Sequence, residues 1–172
     1  MSESGISLHA NLPLTWQAAE AFPQALVAEW MHGNLVSLQA LAALESHEKE
    51  FDANATGEHA AGRLEAKVDL LLQLVGELMR KQQPKLPSVD IVLGAQEVIW
   101  AASAPIAAGS EGVLTLFLSP RLHWPLILPV HVIGTQGTKV HAKLIHLSDD
   151  AQAWLERTLF RYHRRALQAR PR

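Results

Sequence analysis

Residues 61–82 read AGRLEAKVDLLLQLVGELMRKQ, and within them Ala61, Leu64, Val68, Leu71, Val75 and Leu78 fall alternately three and four positions apart. That spacing lays one continuous apolar stripe along a helix that supercoils on a partner. The stripe is too apolar to remain in water, so it is buried on the chain's own core or between chains. β-Branched Val68 and Val75 at a positions, with Leu71 and Leu78 at d, favour two parallel strands. Leu72, Leu74 and Met79 widen the face, which suits a larger bundle or a helix that meets both a sister helix and its own domain. An intramolecular helical hairpin is the competing arrangement. Leu64, Val68, Leu71, Val75 and Leu78 are the expected oligomerisation residues.

The helix that carries the stripe is predicted from about Glu58 to Gln83, ending before Pro84 and Pro87, which cannot continue it. Gly76 lies inside it at about 1 kcal/mol relative to Ala, tolerable where a neighbouring helix packs closely. Upstream, Leu26, Val27 and Trp30, then Leu35, Leu38, Leu41 and Leu44, follow a helical period from Pro23 to Phe51. Gly33 and Asn34 predict a break there, with Asn34 as N-cap of the second piece. The polar stretch Ser46 to Gly57 reads as a short link, which makes an antiparallel helix pair. Residues 1–24, with Pro13 and Pro23 between short apolar islands, read as an irregular arm docked through Trp16 and Phe22.

After Pro87 the period becomes strand-like. Val89, Ile91 and Leu93 alternate, Val98 to Ala101 is a short apolar run, and Val113 to Leu118, Leu126 to Ile133 and Thr138 to Leu147 follow. Five short strands with turn signals at Gly94, Gly109 to Gly112, Ser119-Pro120 and Gly134 to Gly137 predict a small antiparallel barrel or sandwich. Pro125 and Pro129 place the fourth strand at an edge or bulge. Ser148, Asp149 and Asp150 supply an N-cap and an acidic first turn to a last helix that runs to Gln168, with Ala151, Trp154, Leu155, Leu159 and Tyr162 on its apolar face. The fold class is therefore α+β: a helical hairpin with a long heptad-bearing helix, a small antiparallel barrel, and a C-terminal α-helix. Its divisions are an arm (1–24), a helical oligomerisation region (25–83) and a barrel with its helix (88–170).

Nearly half of the 172 residues are apolar and about a fifth are charged, a globular composition at a length that buries a real core. The formal charge of −2 gives no reason to expect DNA or an anionic membrane as partner. No run approaches the roughly 18 apolar residues of a bilayer span, the N-terminus has no signal-peptide pattern, and the lack of cysteine suits a reducing cytosol. A cytoplasmic location without membrane insertion is expected.

Charge distribution is more informative. From Arg157 to Arg172 there are six arginines and no acid, whereas Glu45, Glu48, Glu50, Asp52 and Glu58 are balanced only by Lys49. Arg161, Tyr162, His163, Arg164 and Arg165 are the candidate ligand-binding residues, because guanidinium groups bind phosphate bidentately and stack on bases. A helix end compensating its dipole is the plainer account of the same cluster. Of the nine histidines, His131, His141 and His146 lie in strands and could converge. No HExxH, EF-hand loop or cysteine pair accompanies them, and no metal site is expected. Walker, dinucleotide and GxSxG signatures are absent, and Asp149 and Asp150 fit capping better than acid-base work. No catalytic residues and no enzyme are expected.

The order of elements resembles the atypical, tetramer-forming branch of the PilZ domain family of bacterial cyclic di-GMP signalling. Three segments carry the resemblance: Arg63-Leu64-Glu65-Ala66-Lys67-Val68-Asp69-Leu70-Leu71-Leu72 at the seam, Asn34-Leu35 with Leu44-Glu45 before it, and Leu159-Phe160-Arg161-Tyr162-His163-Arg164-Arg165 at the end. It extends from about Leu12 to Ala169. The resemblance implies a non-enzymatic regulator with a PilZ-like barrel, joined as a homotetramer through a parallel coiled coil, that acts through a protein partner and is linked to motility, pilus function and virulence control. It also implies cyclic di-GMP as the candidate small ligand, with no resident cofactor.

Standard PilZ receptors hold that nucleotide with an RxxxR segment before the first strand and a D/NxSxxG stretch on the barrel. Here Lys81 to Ser88 contains no arginine, and Ala101-Ala102-Ser103-Ala104-Pro105-Ile106 keeps only Ser103 of the second motif. Arg161 and Arg165 repeat the RxxxR spacing on the final helix, one turn apart, where an indole from Trp100 or Trp124 could assist. Two readings stay open: an effector that senses the nucleotide, and a ligand-independent adaptor with a degenerate barrel.

Overall fold

The computed structural model describes residues 6–53, 59–82, 86–120 and 122–168. Its elements are β1 (Leu8–Ala18), α1 (Gln24–Ala53), α2 (His59–Gln82), β2 (Ser88–Leu93), β3 (Glu97–Ala101), β4 (Glu111–Leu116), β5 (Leu126–Gln136), β6 (Lys139–Leu144) and α3 (Asp149–Gln168). The six strands close into an antiparallel barrel in the order β1-β2-β3-β6-β5-β4.

Residues 8–18 are a strand of that barrel, not part of an irregular arm. Leu8, Ala10, Leu12, Leu14 and Trp16 alternate at period two and all pack on the barrel core. Pro13 hides the pattern without breaking the strand. β1 pairs with β2 over residues 8–13 and with β4 over residues 14–18, so Pro13 sits where one ladder hands over to the other. Its carbonyl accepts from Phe117 N–H at 3.2 Å, one step past the last registered pair with β4. The bond the missing proline N–H forfeits is the reciprocal one to Phe117, so the loss falls at the end of the β4 ladder and not within it.

Pro129 is placed by the same logic. It pairs with Val113 of β4, while the ladder to β6 begins one residue later at Val130. A register shift between Val132 and Gly134 lets β5 bend round the barrel. Gly137, at φ 62°, turns β5 into β6. Inside the barrel Leu93, Val98, Leu114, Leu116, Val130, Val132 and Ala142 are wholly buried, and Trp100 lies against Trp16 with ring centroids 5.7 Å apart.

α1 is continuous, and the expected break at Gly33-Asn34 does not occur. The reason is a partner outside the helix. Asn34 is buried, its Nδ2 donates to the Ile127 carbonyl, and its Oδ1 accepts from Ile127 N–H, both at 2.8 Å. With its amide engaged in this way, Asn34 does not compete for its own helix backbone, the usual reason asparagine favours caps. It serves β5 as a substitute strand edge where the ladder to β6 has not begun. Ser37 adds a bond to the Trp124 carbonyl at 3.3 Å, and Leu38 and Leu41 of the same face join the core.

α3 is capped as its sequence predicts. Ser148 Oγ accepts from Ala151 N–H at 3.2 Å, and the Ser148 carbonyl accepts from Gln152 N–H at 2.9 Å. The helix buries Ala151, Leu155, Thr158 and Leu159. α2 differs from every other element. Leu64, Leu71, Val75 and Leu78 are 65, 60, 55 and 56 % exposed, and Val68, Leu70, Leu72, Leu74 and Met79 are exposed with them. Among the described residues, no side chain of α1 covers the stripe. The Ala61 side chain and the 54–58 link lie outside the described residues.

Candidate functional site

The five residues of the α3 candidate divide into an inner and an outer set. Arg161, Tyr162 and Arg165 are half-buried and turn toward α1, while His163 and Arg164 are exposed. What brings the inner set together is Glu45. Leu38, Leu41 and Glu45 follow one another on the buried face of α1 at helical spacing, and the Glu45 side chain keeps only 10 % of its surface exposed. Arg165 Nη1 lies 3.0 Å from Glu45 Oε1, and Arg161 Nε lies 3.5 Å from Oε2. Both arginines of the RxxxR spacing are thus engaged by one carboxylate from another helix. The second contact is long for a charge-assisted bond, and neither Oε2 nor Arg161 Nε has a hydrogen-bond partner among the described residues.

Neighbouring groups hold this cluster in place. Arg161 Nη2 donates to Thr158 Oγ1 at 3.1 Å, and that hydroxyl donates to the Trp154 carbonyl at 2.8 Å. Tyr162 reaches the Leu118 carbonyl at 3.5 Å. Burial pushes the Tyr162 phenol up to about 12. The adjacent Glu45 carboxylate adds to the effect, and Arg165 and Arg161 oppose it.

The indole that stacks on an arginine of α3 is neither of the two expected from the sequence. Trp100 is sealed in the core, and Trp124 is exposed beside Gly33 of α1. The ring on α3 is Trp154, with the Arg157 guanidinium 5.4 Å from its centroid. Ser103, the remnant of the second nucleotide motif, is exposed in the β3–β4 connection.

The three strand-region histidines have separate partners. His131 Nδ1 meets Glu111 at 3.3 Å, His141 Nε2 meets Glu97 at 2.9 Å, and His146 lies against Phe22 with centroids 5.4 Å apart. Among the described residues no group of three metal-capable side chains forms, and no helix is long and apolar enough to cross a membrane. Glu45 is the site residue that sequence reasoning missed, because it reads as the first member of an acidic run. An acid in register with Leu38 and Leu41 on one helix face was the available signal, since a buried carboxylate requires a dedicated counter-charge.

Residues 35–172 match the family model described as atypical PilZ domain, cyclic di-GMP receptor. The chain belongs to that family. A crystal structure of a pathogenic protein from Xanthomonas campestris, described as a new tetrameric PilZ domain self-assembled via an unusual helical bundle, superposes with a TM-score of 0.75. The two share 23 % identity over 97 % of this chain and 93 % of the other, so the likeness is one of fold. No curated protein matches the chain. The family match leaves out β1, whereas the structural match, at 97 % of the chain, extends over most of the N-terminal segment as well. The PilZ-like barrel and C-terminal helix implied by the sequence resemblance are both present.

Proposed function

We propose that this atypical PilZ protein is a non-enzymatic regulatory component of bacterial cyclic di-GMP signalling. It oligomerises through α2 and acts in the cytoplasm by binding another protein. The observation that carries this reading is the bare apolar face of α2. Nine large apolar side chains of one helix stand exposed in the single chain, from Leu64 to Met79. A face that wide suits a bundle of more than two helices, and the structural neighbour is itself described as tetrameric through a helical bundle. A tetramer is accordingly the proposed assembly, and control of motility or virulence its proposed setting.

For the nucleotide, the engagement of Arg161 and Arg165 by Glu45 favours the second reading, an adaptor whose α3 arginines serve the fold and whose barrel offers only a protein-binding surface. Two measurements test the proposal. Light scattering of the purified protein is expected to give a multiple of the chain mass; a single-chain mass at working concentration removes the oligomer. Calorimetric titration with cyclic di-GMP against wild type and Arg161→Ala separates receptor from adaptor. Heat that is lost in the variant supports the receptor, and no heat from either protein leaves the adaptor.

A further inference from the structure

Glu45 occupies the place an anionic ligand would take. Two guanidinium groups one helical turn apart face a single carboxylate, with the Tyr162 phenol beside them, and a pair of guanidinium groups so placed is a donor set suited to a tetrahedral oxyanion. The fit of the resident carboxylate is incomplete. Its Oε2 stands 3.5 Å from Arg161 Nε, and both atoms are buried with no hydrogen-bond partner among the described residues. Charge is also unbalanced, with two guanidinium cations against one carboxylate. Meanwhile the Arg161 and Arg165 side chains are 30 and 38 % exposed against 10 % for Glu45, so the arginines lie nearer the surface than the carboxylate they face.

We infer that the α1–α3 junction is a concealed binding site for a phosphate-class oxyanion, held shut by Glu45 as a built-in occupant. A tetrahedral group with three outward oxygens satisfies Arg161 Nε and Arg165 together, which the two oxygens of a carboxylate at this distance do not. The consequence is low affinity while Glu45 is in place and high affinity once it withdraws. The inference goes beyond the preceding reading, in which the α3 arginines serve the fold while Glu45 is in place, and does not depend on the oligomer. A single-chain mass in light scattering would break that reading and leave this one intact.

Tyr162 is the only tyrosine of the chain, so the full-length protein carrying fluorotyrosine gives a fluorine resonance that reports on this junction alone. The experiment titrates inorganic pyrophosphate at ionic strength held constant with chloride. Wild type is expected to bind weakly, Glu45→Gln roughly tenfold more tightly, and the double variant Glu45→Gln/Arg165→Ala no more tightly than wild type. Equal affinity in wild type and Glu45→Gln overturns the proposal, as does a gain that survives loss of Arg165. Where Glu45→Gln shows only the resonance of the unfolded chain, Glu45→Asp replaces it: the retracted carboxylate gives a smaller gain, and affinity unchanged from wild type overturns the proposal. Repeating the titration with cyclic di-GMP identifies the source of the phosphate. Tighter binding than pyrophosphate assigns the site to a nucleotide phosphodiester, weaker binding assigns it to free phosphate, and either ranking with the Glu45→Gln gain supports the site.

Discussion

The barrel and α2 draw on the same residue types and put them to opposite use. Each strand of the barrel is paired on both sides, and its inward-facing leucines and valines are sealed within one chain. In α2, Leu71 and Leu78 are more than half exposed although their spacing is as regular as any strand's. A closed sheet satisfies itself, because every backbone edge finds a neighbour and the inward face is filled by its own side chains. A lone amphipathic helix has no such closure and reaches a comparable state only against another helix. On the proposed assembly, folding and association are therefore separable, and substitutions can address one without the other.

The largest effect is expected at the assembly. Leu71→Asp with Leu78→Asp places unpaired charges in the proposed seam, each costing several kcal/mol on burial, and reduces the particle to one chain. Near-ultraviolet circular dichroism should meanwhile retain the barrel's tryptophan signal. Light scattering that still reports the wild-type mass would erase the contrast between the two regions.

A smaller effect is expected where α1 meets the barrel. Asn34→Ala strands the Ile127 N–H and carbonyl, at about 1–3 kcal/mol for a buried group left unpaired. The urea midpoint should fall while the assembled mass without urea is unchanged. A fall in mass instead would show that α1 docking and α2 assembly are one event.

The smallest is a pH effect at the α1–α3 junction. The Tyr162 phenol is raised from 10.0 to about 12 in the folded chain. Below pH 10 both states keep the proton and Tyr162 contributes no pH dependence. Between about pH 10 and 12 the unfolded chain releases its proton first, so the group's contribution declines and stability falls as pH rises. Melting temperatures across this range should show that decline, and Tyr162→Phe should remove it.

The parts of the fold that sequence reveals are those whose local pattern and final environment agree. Strands β2 to β6, the cap at Ser148 and the stripe of α2 all follow from period and turn chemistry. The failures share one physical cause, a polar or imino residue whose anomaly is resolved by a distant partner. Pro13 reads as a break until β2 and β4 are seen to exchange the strand at that point. Asn34 reads as a cap until Ile127, 93 residues away, takes both of its amide atoms. In the candidate site the arginines were legible from their spacing, but their engagement was not, because Glu45 acts through a contact between helices that no local window contains.

β1 and β2 are neighbours in the barrel, yet the chain between them holds both long helices. As the polypeptide leaves the ribosome, Leu8–Ala18 must wait for residues 88–93 before its first flank can zip and for residues 112–116 before its second, and two long helices emerge in the interval. Late closure of this kind delays the whole sheet on the stopwatch of synthesis.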